Sequence, residues 1–180
     1  HIIETELGRI GVGICYENLL YSQICRLYEQ DVDLVLSPAA AGRPKQIIPG
    51  DIARFEKALI TSRAVYASTL GVPVIMANRA GLLETELPGN LPYLKSSFPG
   101  LSSIVAADGT VQAELGDEEG IIVADICLGQ GAKSRNIPKR YGSIWGTPVP
   151  WYAFIWPLTQ KMGERSYAAN PRRQERALAI

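Results

Sequence analysis

Histidine is almost missing from this chain: its single copy, His1, stands at the first position. A Ser-His-Asp triad or a Cys-His pair therefore has no plausible base. Metal-assisted hydrolysis loses its usual nitrogen ligands, no HExxH segment occurs, and no metal site is expected. No apolar run reaches about 18 residues, so no transmembrane helix is expected, and the start does not read as a signal peptide. Neither sign of charge dominates, since Lys plus Arg and Asp plus Glu both count 18. A nucleic-acid partner needs a basic face. The only local one, Arg172, Arg173 and Arg176, reads as a solvated tail. Cysteine is scarce: Cys15, Cys25 and Cys127 show no CxxC spacing, which excludes a zinc site and a disulfide framework. A reducing, cytoplasmic setting follows as the default. There is no Walker loop, and Gly11-Val12-Gly13 lacks the third glycine of a dinucleotide fingerprint. Internal repeats and low-complexity tracts are absent as well.

What is present suits a folded α/β protein. The chain has 180 residues, of which 47% are hydrophobic and 20% charged, enough for one domain with a sizeable core. Ile3 to Gly8 reads as a strand and a turn at Leu7-Gly8, and Arg9 to Ile14 as a buried strand with glycines where something packs closely. Leu19 to Gln30 has helical spacing, and Asp33 to Ser37 is a short buried strand ended by Pro38. Asp51 reads as the N-cap of a helix running to about Leu70 and stopped by Gly71, with Ile52, Phe55, Leu59, Ile60 and Ala64 facing inward. Val72 to Ala77 is the next strand and Asn78 to Phe98 a loop. Leu101 to Ala106 and Thr110 to Leu115 form a hairpin about Asp108-Gly109, and Gly120 to Asp125 is one more strand. From Gly129 onward periodicity fades among prolines, glycines and Trp145, Trp151 and Trp156. This divides the chain into a domain over 1–128 and an extension over 129–180 that serves as an oligomer contact or stays irregular. The opening residue is His1 and the first segment reads as the middle of a hairpin, so the expectation is a fragment, incomplete at its N-terminus.

Cys15 stands directly after a strand and directly before a helix. A thiol there meets backbone N–H groups that no helical carbonyl accepts from. The positive helix end favours thiolate, the reactive form, and the same N–H groups can receive an oxyanion. A buried structural thiol fits the spacing equally well.

The stretch Gly8-Arg9-Ile10-Gly11-Val12-Gly13-Ile14-Cys15-Tyr16-Glu17 resembles the nucleophile motif of the nitrilase superfamily of carbon–nitrogen hydrolases. Four further segments resemble that family in order: Asp33 to Pro38, Ser62-Arg63-Ala64 with Val74 to Gly81, Phe98 to Ile104 with Asp108-Gly109, and Glu119 to Asp125. The resemblance implies an α-β-β-α sandwich. It also implies a Glu-Lys-Cys catalytic set, in which the carboxylate is general base, the lysine holds the oxyanion and the cysteine forms a thioester or thioimidate. Cys15 matches the nucleophile, and Tyr16 would lend its backbone N–H to the oxyanion hole. The glutamate and the lysine precede the cysteine in the family. Only 14 residues precede Cys15 here, and none is a lysine. Glu4, Glu6, Lys45 and Lys57 match no catalytic position.

The implied substrate is a small-molecule amide, carbamoyl compound or nitrile; no cofactor is called for, and the implied assembly is a homo-oligomer. The tyrosine after Cys15 leans toward amidase-like members. Ala39, Ala40 and Ala41, after a strand's C-terminal end, are candidate substrate-binding residues, and a plain loop fits them as well. Glu17 is expected in a structural salt bridge, for which Arg63 is a candidate. Asn78 is expected to be structural, and Cys25 and Cys127 to be inert packing. The competing reading is an inactive oligomerisation or binding module of the same fold. Acyl transfer to an amine uses the same thioester and is not separable by sequence.

Overall fold

The structure is a computed structural model that describes residues 1–44, 49–85, 94–128, 133–134, 137–145, 156–170 and 172. Two compact units divide the chain, His1–Val149 and Pro150–Ile180.

The first unit opens on an antiparallel hairpin of β1 (Ile2–Thr5) and β2 (Gly8–Val12). Its turn falls on Glu6-Leu7, because Gly8 takes a left-handed backbone (φ 112°) and itself begins β2. A 3-10 helix (Cys15–Leu19) and α1 (Tyr21–Glu29) lead to β3 (Leu34–Ala39), and α2 (Asp51–Leu70) leads to β4 (Val74–Asn78). Strands β2, β3 and β4 run parallel, joined by these helical crossovers. β4 then pairs antiparallel with β7 (Ser103–Val105), and β7 with β8 (Val111–Glu114), closing a six-stranded sheet in the order β1-β2-β3-β4-β7-β8.

Strand register sorts the side chains to two faces. Gly11, Val35, Val74 and Val105 share the face on which the core forms with Ile24 and Leu27 of α1 and Tyr66, Ala67 and Leu70 of α2. Gly11 has no room for a side chain: a Cβ there would lie 2.6 Å from Leu27 Cδ2 and 3.3 Å from Val32 Cγ1. Trp145 completes this core, stacked on Tyr66 with ring centroids 5.1 Å apart; it belongs to the small hairpin β9 (Arg140–Tyr141) and β10 (Ile144–Trp145). The opposite face carries Ile10, Leu34, Leu36, Ile75 and Ile104. It is apolar too, as a sheet must be when a sandwich covers both of its sides.

Several elements differ from the sequence expectation. Pro38 lies within β3, opposite Ala77, and does not end it. Leu36 O accepts from Gly13 of the β2 chain, whereas Val35 N–H and Ala39 O bond toward β4. The missing N–H of Pro38 thus faces the side that the β2 chain has already left, where it loses no ladder bond. The N-cap of α2 is Gly50 in a left-handed conformation (φ 82°), so Asp51 occupies the first turn, buried and paired with Arg54 at 3.2 Å. The buried stripe of α2 runs through Phe55, Arg63, Tyr66, Ala67 and Leu70, which turns Ile60 outward. Gly71 ends the helix at φ 69° as expected.

The expected loop Asn78 to Phe98 contains a two-stranded antiparallel sheet, β5 (Ala80–Thr85) and β6 (Leu94–Pro99). Its strands lack the apolar alternation that marks a half-buried strand. Gly120 to Asp125, expected as a strand, joins no ladder among the described residues. Ile121 and Val123 there are 93% and 86% exposed. The period of two is present, but a strand exists only with a partner. Cys127 is exposed, so it is no packing residue, and Cys25 is half-buried on α1. The second unit holds α3 (Trp156–Ala169), a helix where no periodicity was expected.

Candidate active site

Three neighbouring parallel strands bring their C-terminal ends to one edge of the sheet, and a candidate segment follows each: Gly13 to Tyr16 after β2, Ala39 to Ala41 at the end of β3, and Asn78 at the end of β4. Open α/β sheets place ligands outside this edge.

At the first of them, Gly13 N–H still bonds Leu36 O at 3.1 Å before the chain turns away from the sheet. Cys15 then adopts a left-handed backbone (φ 49°) and is half-buried. Ile14 and Glu17 brace the turn reciprocally: Ile14 N–H donates to Glu17 Oε2 at 2.9 Å, and Glu17 N–H donates to Ile14 O at 3.0 Å. Glu17 therefore serves as a cap and forms no salt bridge to Arg63. The Arg63 guanidinium donates to Leu101 O at 2.6 Å and pairs with Glu114. The helix that starts at Cys15 is a five-residue 3-10 helix, with α1 beginning only at Tyr21. The favourable field at Cys15 is therefore that of one short turn and not of a long helix, and within that turn Glu17 N–H is already taken by Ile14 O. Tyr16, half-buried, is the second residue of that turn.

Asn18 was not singled out by sequence, yet its side chain lies inside the turn. Its Nδ2 donates to Gly13 O at 2.6 Å and to Cys15 O at 3.2 Å. A Cβ on Gly13 would overlap Asn18 Oδ1, so the glycine makes room for the amide. The backbone carbonyl of Asn18 accepts from Trp145 Nε1 at 2.9 Å.

The alanine segment is anchored from β4. Asn78 Oδ1 accepts from Ala41 N–H at 2.8 Å, and Asn78 Nδ2 donates to Gly100 O at 2.7 Å, so its role is structural. Ala39 O accepts from Arg79 N–H at 3.3 Å. Ala39 and Ala41 are half-buried and Ala40 is exposed. Beyond them, Arg43 binds the β5–β6 hairpin and α2 at once: its N–H donates to Ser97 O at 2.8 Å, its guanidinium to Ser97 Oγ at 2.7 Å and to Glu56 at 2.6 Å. The hairpin that the sequence hid thus walls this segment. Among the described residues no group of three His, Cys, Asp or Glu side chains is placed to hold a metal ion. No described helix is long and apolar enough to cross a membrane.

A sequence profile of the family described as carbon-nitrogen hydrolase matches residues 1–136. Comparison with curated proteins gives no match. Among solved structures, a carbon-nitrogen hydrolase from Helicobacter pylori superposes with a TM-score of 0.60 at 25% identity, covering 70% of this chain and 42% of that one. A glutamine-dependent NAD+ synthetase from Acinetobacter baumannii gives 0.51 at 16% identity over 67% of this chain and 20% of that one, a likeness of fold alone. A Saccharomyces cerevisiae member of branch 10 of the nitrilase superfamily gives 0.49 at 21% identity, over 67% and 38%. The chain spans about two fifths of the first and the last of these structures and a fifth of the synthetase.

Proposed function

Because the chain belongs to the carbon-nitrogen hydrolase family, we propose that it supplies the nucleophile of a thiol-dependent hydrolase cleaving a non-peptide C–N bond in a small amide, carbamoyl compound or nitrile. The observation that carries this reading is Cys15 itself. It is a half-buried thiol in a left-handed turn, at the C-terminal edge of the parallel strands and at the start of a short 3-10 helix. The Sγ thiolate attacks the amide carbon, and the backbone N–H of Tyr16 donates to the oxyanion that forms. The C–N bond then breaks with a proton delivered to the leaving nitrogen, which leaves a thioester; water cleaves the thioester and restores the thiol. With a nitrile the attack gives a thioimidate; one water adds to it and ammonia leaves, giving the thioester that a second water cleaves. Ala39, Ala40 and Ala41 line the substrate's side of the edge, where small side chains leave volume.

The general-base glutamate and the oxyanion-holding lysine of the resembling family match no residue among these 180. The proposal therefore assigns turnover to a protein in which this chain is joined to both groups, and none to the 180 residues alone. It needs no cofactor, and it includes self-association and a reducing, cytoplasmic setting that keeps Cys15 as a thiol.

The test uses the whole gene product. Cys15→Ala should abolish hydrolysis of short-chain amides and nitriles, together with iodoacetamide labelling at that residue. Hydrolysis retained by Cys15→Ala overturns the reading. A gene product with no turnover at all favours the binding-module alternative.

A further inference from the structure

We infer that Asn18 is a positioning residue whose side-chain amide holds the nucleophile turn in its left-handed geometry; the inference rests on the reading of Cys15 as nucleophile. Three observations converge on it. The amide nitrogen spends both of its protons on the turn, one on Gly13 O (2.6 Å) and one on Cys15 O (3.2 Å), so it clamps the chain on both sides of Ile14. This amide fills the space beside Gly13, since a Cβ on Gly13 would overlap its oxygen. The backbone at Asn18 is fixed from the far side, because its carbonyl accepts from Trp145 Nε1 at 2.9 Å. Trp145 is 2% exposed and stacked on Tyr66 of α2. A continuous path thus runs from the core through Trp145 and Asn18 to Cys15.

The chemistry at Asn18 is directional. A carbonyl oxygen accepts and cannot donate, so Gly13 O and Cys15 O both need a donor between them. Asparagine supplies two N–H bonds in one plane. Aspartate has the same size and shape but offers only acceptors, and its charge faces two carbonyl dipoles. Aspartate keeps the volume and alanine removes it, but both lose the two N–H donors, so a donor clamp fails in either variant. Asn18 Oδ1 is buried and has no hydrogen-bond partner among the described residues, so the amide is held by its nitrogen alone.

The test compares Asn18→Asp and Asn18→Ala with the wild type in the whole gene product, well below the melting temperature. Two readouts are taken: the second-order rate of Cys15 alkylation by iodoacetamide, resolved from Cys25 and Cys127 by peptide mass mapping, and kcat against KM for amide turnover. Both variants should slow Cys15 alkylation at least tenfold without changing the rates at Cys25 and Cys127. They should lower kcat by a similar factor, with KM within about threefold. Aspartate should be no better than alanine. If Asn18→Asp alkylates at Cys15 at the wild-type rate, the inference is overturned. Should both variants fail to fold, Trp145→Phe keeps a smaller aromatic ring in the stack on Tyr66 and removes the donor to Asn18 O: a severalfold slower alkylation supports the path, and an unchanged rate overturns it. Alkylation does not depend on turnover, so a wild type that hydrolyses nothing sinks the proposed activity while the order of alkylation rates still decides the role of Asn18.

Discussion

Gly11→Ala adds one methyl group where β2 packs against Leu27 of α1, and the sign of its effect tests the packing directly. In an open strand the change would stabilise the fold by about 0.5–1 kcal/mol, because glycine loses more conformational freedom on folding than alanine. Here the new Cβ would lie 2.6 Å from Leu27 Cδ2 and 3.3 Å from Val32 Cγ1. Leu27 is a flexible side chain in principle, but it is 0% exposed and surrounded by core residues, so it has nowhere to go. Overpacking of this kind costs about 1–3 kcal/mol, which outweighs the entropic gain. Leu27→Ala alone should cost about 2–5 kcal/mol, through lost burial and the cavity left behind. In the double variant the added methyl occupies part of that cavity, so the two losses should fall short of their sum by about 0.5–3 kcal/mol. Equilibrium urea unfolding of the whole gene product measures all three, read from midpoints at a constant m-value. A Gly11→Ala protein more stable than wild type, or losses that simply add, would refute the packing described between β2 and α1.

Tyr66→Phe should be neutral or stabilising by about 1 kcal/mol, because the buried Tyr66 hydroxyl has no hydrogen-bond partner among the described residues and its desolvation is uncompensated. Burial also pushes the Tyr66 hydroxyl pKa upward. Its contribution to stability is therefore full below the unfolded value of about 10 and is lost as pH rises beyond it; Tyr66→Phe should flatten the alkaline limb of the melting temperature, and an unaltered limb contradicts this. Glu114→Ala leaves Arg63, whose side chain is 1% exposed, without its carboxylate partner. The loss should be about 1–3 kcal/mol by thermal or urea unfolding, below that of a fully buried pair because Glu114 reaches solvent. Gly100→Ala should lose more than a surface substitution does, since its Cβ would overlap Gly116 O and its φ is 64°; a melting temperature within a degree of wild type would count against that turn.

The parts of the fold that local chemistry dictates were legible in the sequence. Gly71 stops α2 because it can take φ 69°. Asp108-Gly109 makes its turn because Gly109 takes φ 90° and Asp108 Oδ1 receives Thr110 N–H at 2.8 Å. The apolar runs of β3 and β4 announced buried strands. What escaped depends on distant partners. The β5–β6 pairing joins polar strands such as Glu84 with Lys95, and nothing within either strand announces the other. Gly120 to Asp125 has a strand's period and no described ladder.

At the candidate site, the strand–helix alternation placed Cys15 at a strand-to-helix turn and Ala39 to Ala41 after a strand's C-terminal end; the reading of Cys15 as nucleophile came from the resemblance alone. Asn18 was not legible, because an asparagine in a helical-looking run carries no label for the carbonyls it will meet. Gly13, five residues before it and just past β2, was the available signal: a glycine between Val12 and Ile14 marks a close approach, here by a side chain from the same turn.

Cys15 itself holds a conformation that costs an L-residue about 1–2 kcal/mol and costs glycine nothing. Folding and the proposed chemistry consequently pull this position in opposite directions. A population of sequences selected only for a stable native state would drift toward glycine or asparagine at residue 15, and each step of that drift would remove the thiol. Cysteine at φ 49° is thus a standing thermodynamic burden at the one residue to which the reaction is assigned, which is where a protein that trades stability for reactivity is expected to carry it.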